Sequence, residues 1–208
     1  MTATGHRNPL EQLHDYGQSV WYDNLSRQLL NEGGLQTLID ESGVVGVTSN
    51  PTIFDKAITG SDAYDDQICE LVEAGSTTDE VYEELVVRDI QRAADILRPV
   101  FEGNGRNSGD GFVSLEVSPT LAHNTEKTME DARRLYAEVD RPNVMIKIPG
   151  TPEGLPAIEQ MLYEGVNVNI TLLFSLDAYR TVAEAYLRAL ERRAEEGKPV
   201  DNVHSVAS

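Results

Sequence analysis

Val144-Met145-Ile146-Lys147-Ile148 is the stretch on which the fold turns. It is apolar at every position but Lys147, and Val144, Ile146 and Ile148 are β-branched. A half-buried strand would alternate apolar and polar residues. A run without that alternation predicts a strand covered on both faces, as in a parallel sheet flanked by helices. Phe112–Val117 reads the same way. Working outward, Ser19–Tyr22, Val44–Thr48 and Val166–Thr171 predict further strands, and a sixth run begins at Val203. Helical periods fill the intervals. Leu25–Ile39 reads as one helix with Asn24 as its N-cap. Thr77-Thr78-Asp79-Glu80 is a capping box that opens a helix with Val81, Leu85, Val86, Ile90, Ala93, Ala94 and Leu97 on one face. Asn124–Val139 follows. Thr151-Pro152 predicts a cap and a first helical proline, Gly165 the end of that helix, and Ser175–Glu196 the last helix.

Strands that alternate with helices build βα units and a parallel sheet. A doubly wound sheet carries a glycine-rich turn after its first strand. Here the first two strands end in Asp23 and in Ser49-Asn50-Pro51, without that turn. The glycine-rich stretch Gly103–Gly111 precedes a strand instead of opening a helix, so it reads as a surface loop and not a phosphate cradle. The expected fold is therefore α/β, a (β/α)8 TIM barrel in which polar residues at strand C-terminal ends form the site. Such barrels take about 250 residues and eight strands. Five to six βα units are visible in 208 residues. Residues 1–208 are expected to be one barrel domain, incomplete at its C-terminal end, from the N-terminal part of a longer protein.

Composition narrows the partners. Hydrophobic residues make up 40% and charged residues 25%, which suits a globular chain with a sizeable core. The net charge of −18 argues against nucleic acid and anionic membranes, which demand clustered Lys and Arg. Acidic runs such as Asp62–Asp66 and Glu80–Glu84 read as solvated helix faces, and salt adaptation would leave the same mark. No apolar window approaches the length of a membrane span, and Met1–Asn8 lacks a signal-peptide core. The single Cys69 fits a reducing cytoplasm, on a helix where it reads as core or inert. His6, His14, His123 and His204 show no metal-ligand spacing. The oligomeric state is left open.

The strand ends hold the candidate chemistry: Asp23; Thr48, Ser49 and Asn50; Glu116; Lys147; Asn169 and Thr171; and Ser208. Polar groups facing a barrel interior are costly unless paired, so one at strand end after strand end forms a constellation. Lys147 is the most informative. The other lysines, Lys56, Lys127 and Lys198, lie in polar or loop contexts. Burial disfavours an ammonium, and a free amine attacks carbonyls to form a Schiff base. A lysine that snorkels from an edge strand gives the same pattern. Asp23 and Glu116 are carboxylates of the kind imine chemistry needs for proton transfer, or ion-pair partners of Lys147. Asn50, Asn169 and Thr171 suit the hydroxyls of a polyol, or capping and turn work.

Gly46-Val47-Thr48-Ser49-Asn50-Pro51-Thr52-Ile53-Phe54 resembles the first signature of the transaldolases. Val144-Met145-Ile146-Lys147-Ile148-Pro149-Gly150-Thr151-Pro152-Glu153-Gly154 resembles the second, which surrounds their Schiff-base lysine. Val113–Val117 and Gly165–Ser175 look like the same family, in the same order, so the resemblance covers nearly the whole chain. Asn-Pro-Thr-Ile-Phe-Asp-Lys is similar to the longer transaldolase subgroup. The resemblance implies a barrel of the class I aldolase type and a mechanism with no cofactor. Lys147 would form the imine with a ketose phosphate, sedoheptulose 7-phosphate or fructose 6-phosphate. Asp23 would deprotonate the C4 hydroxyl. Glu116 and Thr171 would hold a proton-shuttling water. Asn50 and Asn169, with Thr48 and Ser208 beside them, would bind the donor. The dihydroxyacetone unit would pass to an aldose phosphate in the non-oxidative pentose phosphate branch. The family's phosphate-binding arginine lies just past Ser208, so the 208-residue chain alone is expected to turn over little. Two rivals remain: a fructose 6-phosphate aldolase-type lyase that releases dihydroxyacetone, and a catalytically inactive fragment.

Overall fold

The computed structural model describes residues 8–104 and 109–208. In chain order the elements are α1 (Pro9–Leu13), β1 (Val20–Asp23), α2 (Arg27–Asn31), α3 (Gly34–Ser42), β2 (Val44–Thr48), α4 (Pro51–Thr59), α5 (Asp65–Glu73), α6 (Thr78–Pro99), β3 (Phe112–Glu116), α7 (Thr125–Val139), β4 (Val144–Pro149), α8 (Gly154–Glu164), β5 (Val168–Thr171), α9 (Leu176–Glu195) and β6 (Ser205–Ala207). The hydrogen-bonded strand order is β1-β2-β3-β4-β5-β6, the order of the chain itself. The pairs β1–β2, β4–β5 and β5–β6 are parallel. A doubly wound sheet reverses direction around its first strand, whereas a (β/α) barrel adds each strand beside the last. The fold is the strand succession of a partial (β/α) barrel of the aldolase type. Residues 105–108 of the expected Gly103–Gly111 loop, and all of the Met1–Asn8 stretch but Asn8, lie outside the described residues.

Two compact units meet in sequence at Val113/Ser114, within β3. In the first, β1 runs beside β2 with Trp21 opposite Gly46 and Asp23 opposite Thr48. A Cβ at Gly46 would collide with the Trp21 indole, so β2 needs glycine there to admit the ring. α6 opens with the expected capping box: Thr77 N–H donates to Glu80 Oε2 at 2.7 Å and Glu80 N–H returns to Thr77 Oγ1 at 3.4 Å. Its buried face carries Leu85, Ile90, Ala93, Ala94 and Leu97 as the period predicted, but also Asp89, fully buried. That carboxylate accepts from Arg27 Nε and from the Tyr64 hydroxyl, both at 2.9 Å, and the guanidinium carbon lies 4.4 Å from the Tyr64 ring centroid. Burial pushes the Tyr64 hydroxyl well above its usual range, so it stays protonated and donates. The buried charge pair thereby ties α2 to α6.

In the second unit α7 and α8 pack on β4, α8 also packs on β5, and α9 packs against α8. Every residue of β4 is buried. Ile146, Ile148, Ile158, Met161 and Leu162 are fully excluded from solvent, at about 1.5–3 kcal/mol of burial each. Arg133 grips Glu164 through two 2.7 Å bonds and holds its carboxyl below the ordinary range. Among the described residues, no helix is long and apolar enough to cross a membrane.

Some expectations require correction. Leu25–Ile39 is not one helix: Ser26, not Asn24, caps α2, and the chain breaks at Gly33 in the left-handed region (φ 72) before α3 begins. α8 starts at Gly154, and Thr151-Pro152 forms the turn ahead of it, where Thr151 Oγ1 accepts from Gly154 N–H at 2.9 Å. The helix expected around Cys69 is α5, whereas α4 has no counterpart in the sequence reading. Cys69, on α5, is exposed and not core.

Candidate active site

The second unit holds Lys147. β4 lies between β3 and β5, so Lys147 is not on an edge strand, and it is 8% exposed. An outward-snorkelling lysine does not fit that placement. Val117 N–H donates to the Lys147 carbonyl at 3.2 Å, which sets the end of β3 beside β4. Glu116, the last residue of β3, consequently holds Oε2 3.5 Å from Lys147 Nζ. The pairing expected as the fold-based reading of Glu116 is therefore present. At this separation the carboxylate is longer than a settled charge-assisted hydrogen bond. It sits where it can exchange a proton with the amine directly or through one water.

β5 brings the next groups. Asn169 stands in register with Lys147, and Thr171 with Pro149. Asn169 is 1% exposed, and its amide is held at both ends. Nδ2 donates to Ser114 Oγ at 2.9 Å, and Oδ1 accepts from Ser208 Oγ at 2.7 Å. Ser208 is fixed in turn by its own N–H, which donates to the Ile170 carbonyl at 2.8 Å. Thr171 is half-buried at the strand end, and its carbonyl accepts from Gly150 N–H at 2.8 Å. Leu172 follows in the left-handed region at φ 64, a costly conformation for a residue with a Cβ. The chain turns sharply there, just past the strand end where a barrel builds its site.

In the first unit, Asp23 is exposed at the end of β1, opposite Thr48 on β2. It lines a cavity of about 610 Å³ with Asn24, Ser26, Lys56 and Ser61. Asn50 caps α4: its Oδ1 accepts from Ile53 N–H at 3.0 Å, and Pro51 takes the first helical position. The capping role considered for Asn50 is thus real, and it commits the side-chain oxygen to the fold.

The sequence reading passed over Ser114. The signal was the one that marked Lys147, a polar side chain inside an apolar strand: Ser114 is fully buried between Val113 and Leu115. In the second unit the structure gathers a buried amine, a carboxylate beside it, and an oriented amide in register with it. That set is suited to forming and breaking an imine.

Comparison with known proteins places the chain in a family. A family model described as transaldolase/fructose-6-phosphate aldolase matches residues 20–208. The chain is 52% identical over 201 residues to transaldolase 2 of Nostoc sp. (strain PCC 7120), covering 97% of this chain and 52% of that protein. It is 52% identical to the transaldolase of Thermobifida fusca, covering 97% of this chain and 54% of that one. For the transaldolase of Mycobacterium marinum the identity is 48% over 203 residues, 97% of this chain and 54% of that one. The chain spans about half the length of the curated relatives it matches. With the lysine on β4, its neighbours on β3 and β5, and the match from residue 20 to residue 208, the chain belongs to the transaldolase/fructose-6-phosphate aldolase family.

Proposed function

We propose that the chain carries the Schiff-base machinery of a cytoplasmic transaldolase. The observation that carries this reading is Lys147, buried on a central strand with Glu116 Oε2 at 3.5 Å. Lys147 Nζ adds to the C2 ketone of sedoheptulose 7-phosphate or fructose 6-phosphate. Loss of water from the carbinolamine gives the iminium, with Glu116 and Thr171 holding the water that relays the protons. Asp23 takes the proton from the C4 hydroxyl as the C3–C4 bond breaks. The bonding electrons pass into the iminium, leaving a dihydroxyacetone enamine on Lys147 and an aldose phosphate as product. The enamine then attacks an acceptor aldose phosphate, and hydrolysis frees Lys147. Thr48, Asn50, Asn169 and Ser208 bind the hydroxyls of the donor.

The test is to incubate the protein with fructose 6-phosphate and borohydride, and then map the modified peptide by mass. The expected result is a reduced dihydroxyacetone adduct on Lys147, absent from Lys147→Met. No adduct in this chain or in one extended past Ser208 defeats the Schiff-base reading; an adduct in the extended chain alone means that further strands complete the site. The family also includes fructose-6-phosphate aldolases, so product analysis separates the two activities. Transfer requires that free dihydroxyacetone be suppressed when an acceptor aldose phosphate is added; equal release with and without acceptor identifies a lyase.

A further inference from the structure

We propose that Ser114 is a positioning residue that holds the Asn169 amide in the orientation the reaction needs. The terminal torsion of asparagine is broad and roughly two-fold, so an unrestrained amide samples more than one orientation. A buried amide must also satisfy its donors and acceptor. Asn169 meets both demands through two serines distant in sequence, Ser114 at Nδ2 (2.9 Å) and Ser208 at Oδ1 (2.7 Å). Among the described residues, this leaves one N–H and one carbonyl lone pair of the amide uncommitted. They are what a hydroxyl requires, because a hydroxyl both donates and accepts.

Ser114 is placed for this by the strand period. It stands two residues before Glu116 on β3, so the two side chains share a face. Its partner Asn169 is in register with Lys147 on β5. The Ser114–Asn169 bond therefore spans from β3 to β5, across the strand that carries the nucleophile. A strand made of Phe112, Val113 and Leu115 gains nothing in packing from a fully buried hydroxyl at position 114. The backbone ladder forms whatever side chain stands there. This inference rests on the Schiff-base reading above: the ketone carbon that Lys147 attacks is flanked by hydroxyl-bearing carbons, and the oriented amide meets one of those hydroxyls.

The experiment uses the full chain with fructose 6-phosphate and borohydride, comparing wild type, Ser114→Ala, Asn169→Ala and the double variant. Ser114→Cys, close to serine in size but a weak acceptor, serves if Ser114→Ala does not fold. Ser114→Ala is expected to slow adduct formation on Lys147 about tenfold at saturating sugar, since small misplacements of a positioning group carry penalties of this order. In the Asn169→Ala background the same change should have no further effect, because Ser114 acts through that amide. An unchanged rate in Ser114→Ala, or an equal slowing in the Asn169→Ala background, overturns the proposal. A second readout needs no turnover: hydrogen exchange of the Asn169 side-chain amide, followed by ¹⁵N-resolved NMR. It should accelerate in Ser114→Ala, and unchanged protection overturns the positioning role. If neither this chain nor one extended past Ser208 forms an adduct, the Schiff-base reading falls, and the exchange measurement alone decides whether Ser114 orients Asn169; if only the extended chain does, the variants are compared in it.

Discussion

Glu116 is separated from Lys147 by 3.5 Å, with side chains 17% and 10% exposed, and one substitution distinguishes its two possible jobs. Gln keeps the size and the hydrogen-bonding reach of the side chain but removes its capacity to carry a proton. If Glu116 relays protons, Glu116→Gln slows borohydride trapping on Lys147 by about 10²–10⁴-fold with little change in melting temperature. If it is only a fold-stabilising ion pair, the trapping rate stays near wild type while the melting temperature drops. Lys147 was legible in the sequence because a cation in an apolar run has few structural explanations. Ser114 escaped notice because a buried hydroxyl is a much weaker anomaly than a buried charge. The assembly of Asn169 with Ser114 and Ser208 was out of reach, since the bonded residues lie 55 and 39 positions apart. Asn50 carried two readings, and the structure shows that one of them, capping, is occupied.

At the scale of elements, the strands were read well and the short helices poorly. Val44–Thr48 was read to the residue, and β3 and β4 within one residue at their C-terminal ends. Continuous β-branched runs leave little choice of conformation. The long α6 was equally plain from its capping box and its period. The helices α4 and α5 are nine residues each, too short for a periodic pattern to stand out. The expected helix Leu25–Ile39 failed at Gly33, where apolar spacing suggested continuity but the backbone adopts φ 72. A Cβ at Gly33 would meet nothing within 4 Å, so its cost there is conformational and not steric. Gly33→Ala should therefore destabilise the fold by about 1 kcal/mol, measured by denaturant titration. Stabilisation would mean that the break between α2 and α3 is soft enough to be straightened into the single helix that the sequence suggested.

Charge governs the molecule as a whole. With every Lys and Arg paired to one carboxylate, an excess of 18 carboxylates would still remain. The ion pairs seen on the helices, such as Arg133–Glu164 and Arg188–Glu159, are partly exposed and each contributes about 0.2–1 kcal/mol at most. Repulsion among the unpaired carboxylates acts across the whole surface and opposes compaction. Salt weakens both effects, so the sign of the salt response reports which is larger. Raising sodium chloride from about 0.01 M to about 1 M shortens the Debye length from about 30 Å to about 3 Å. Repulsion between carboxylates of different helices falls over that range, while contacts at 2.7–2.8 Å are screened far less. The melting temperature is therefore expected to rise with sodium chloride. The Arg133→Ala variant should show the same slope from a slightly lower starting point. A melting temperature that falls with salt would mean that the helix-surface ion pairs outweigh the repulsion, and the loss of Arg133 would then flatten the slope.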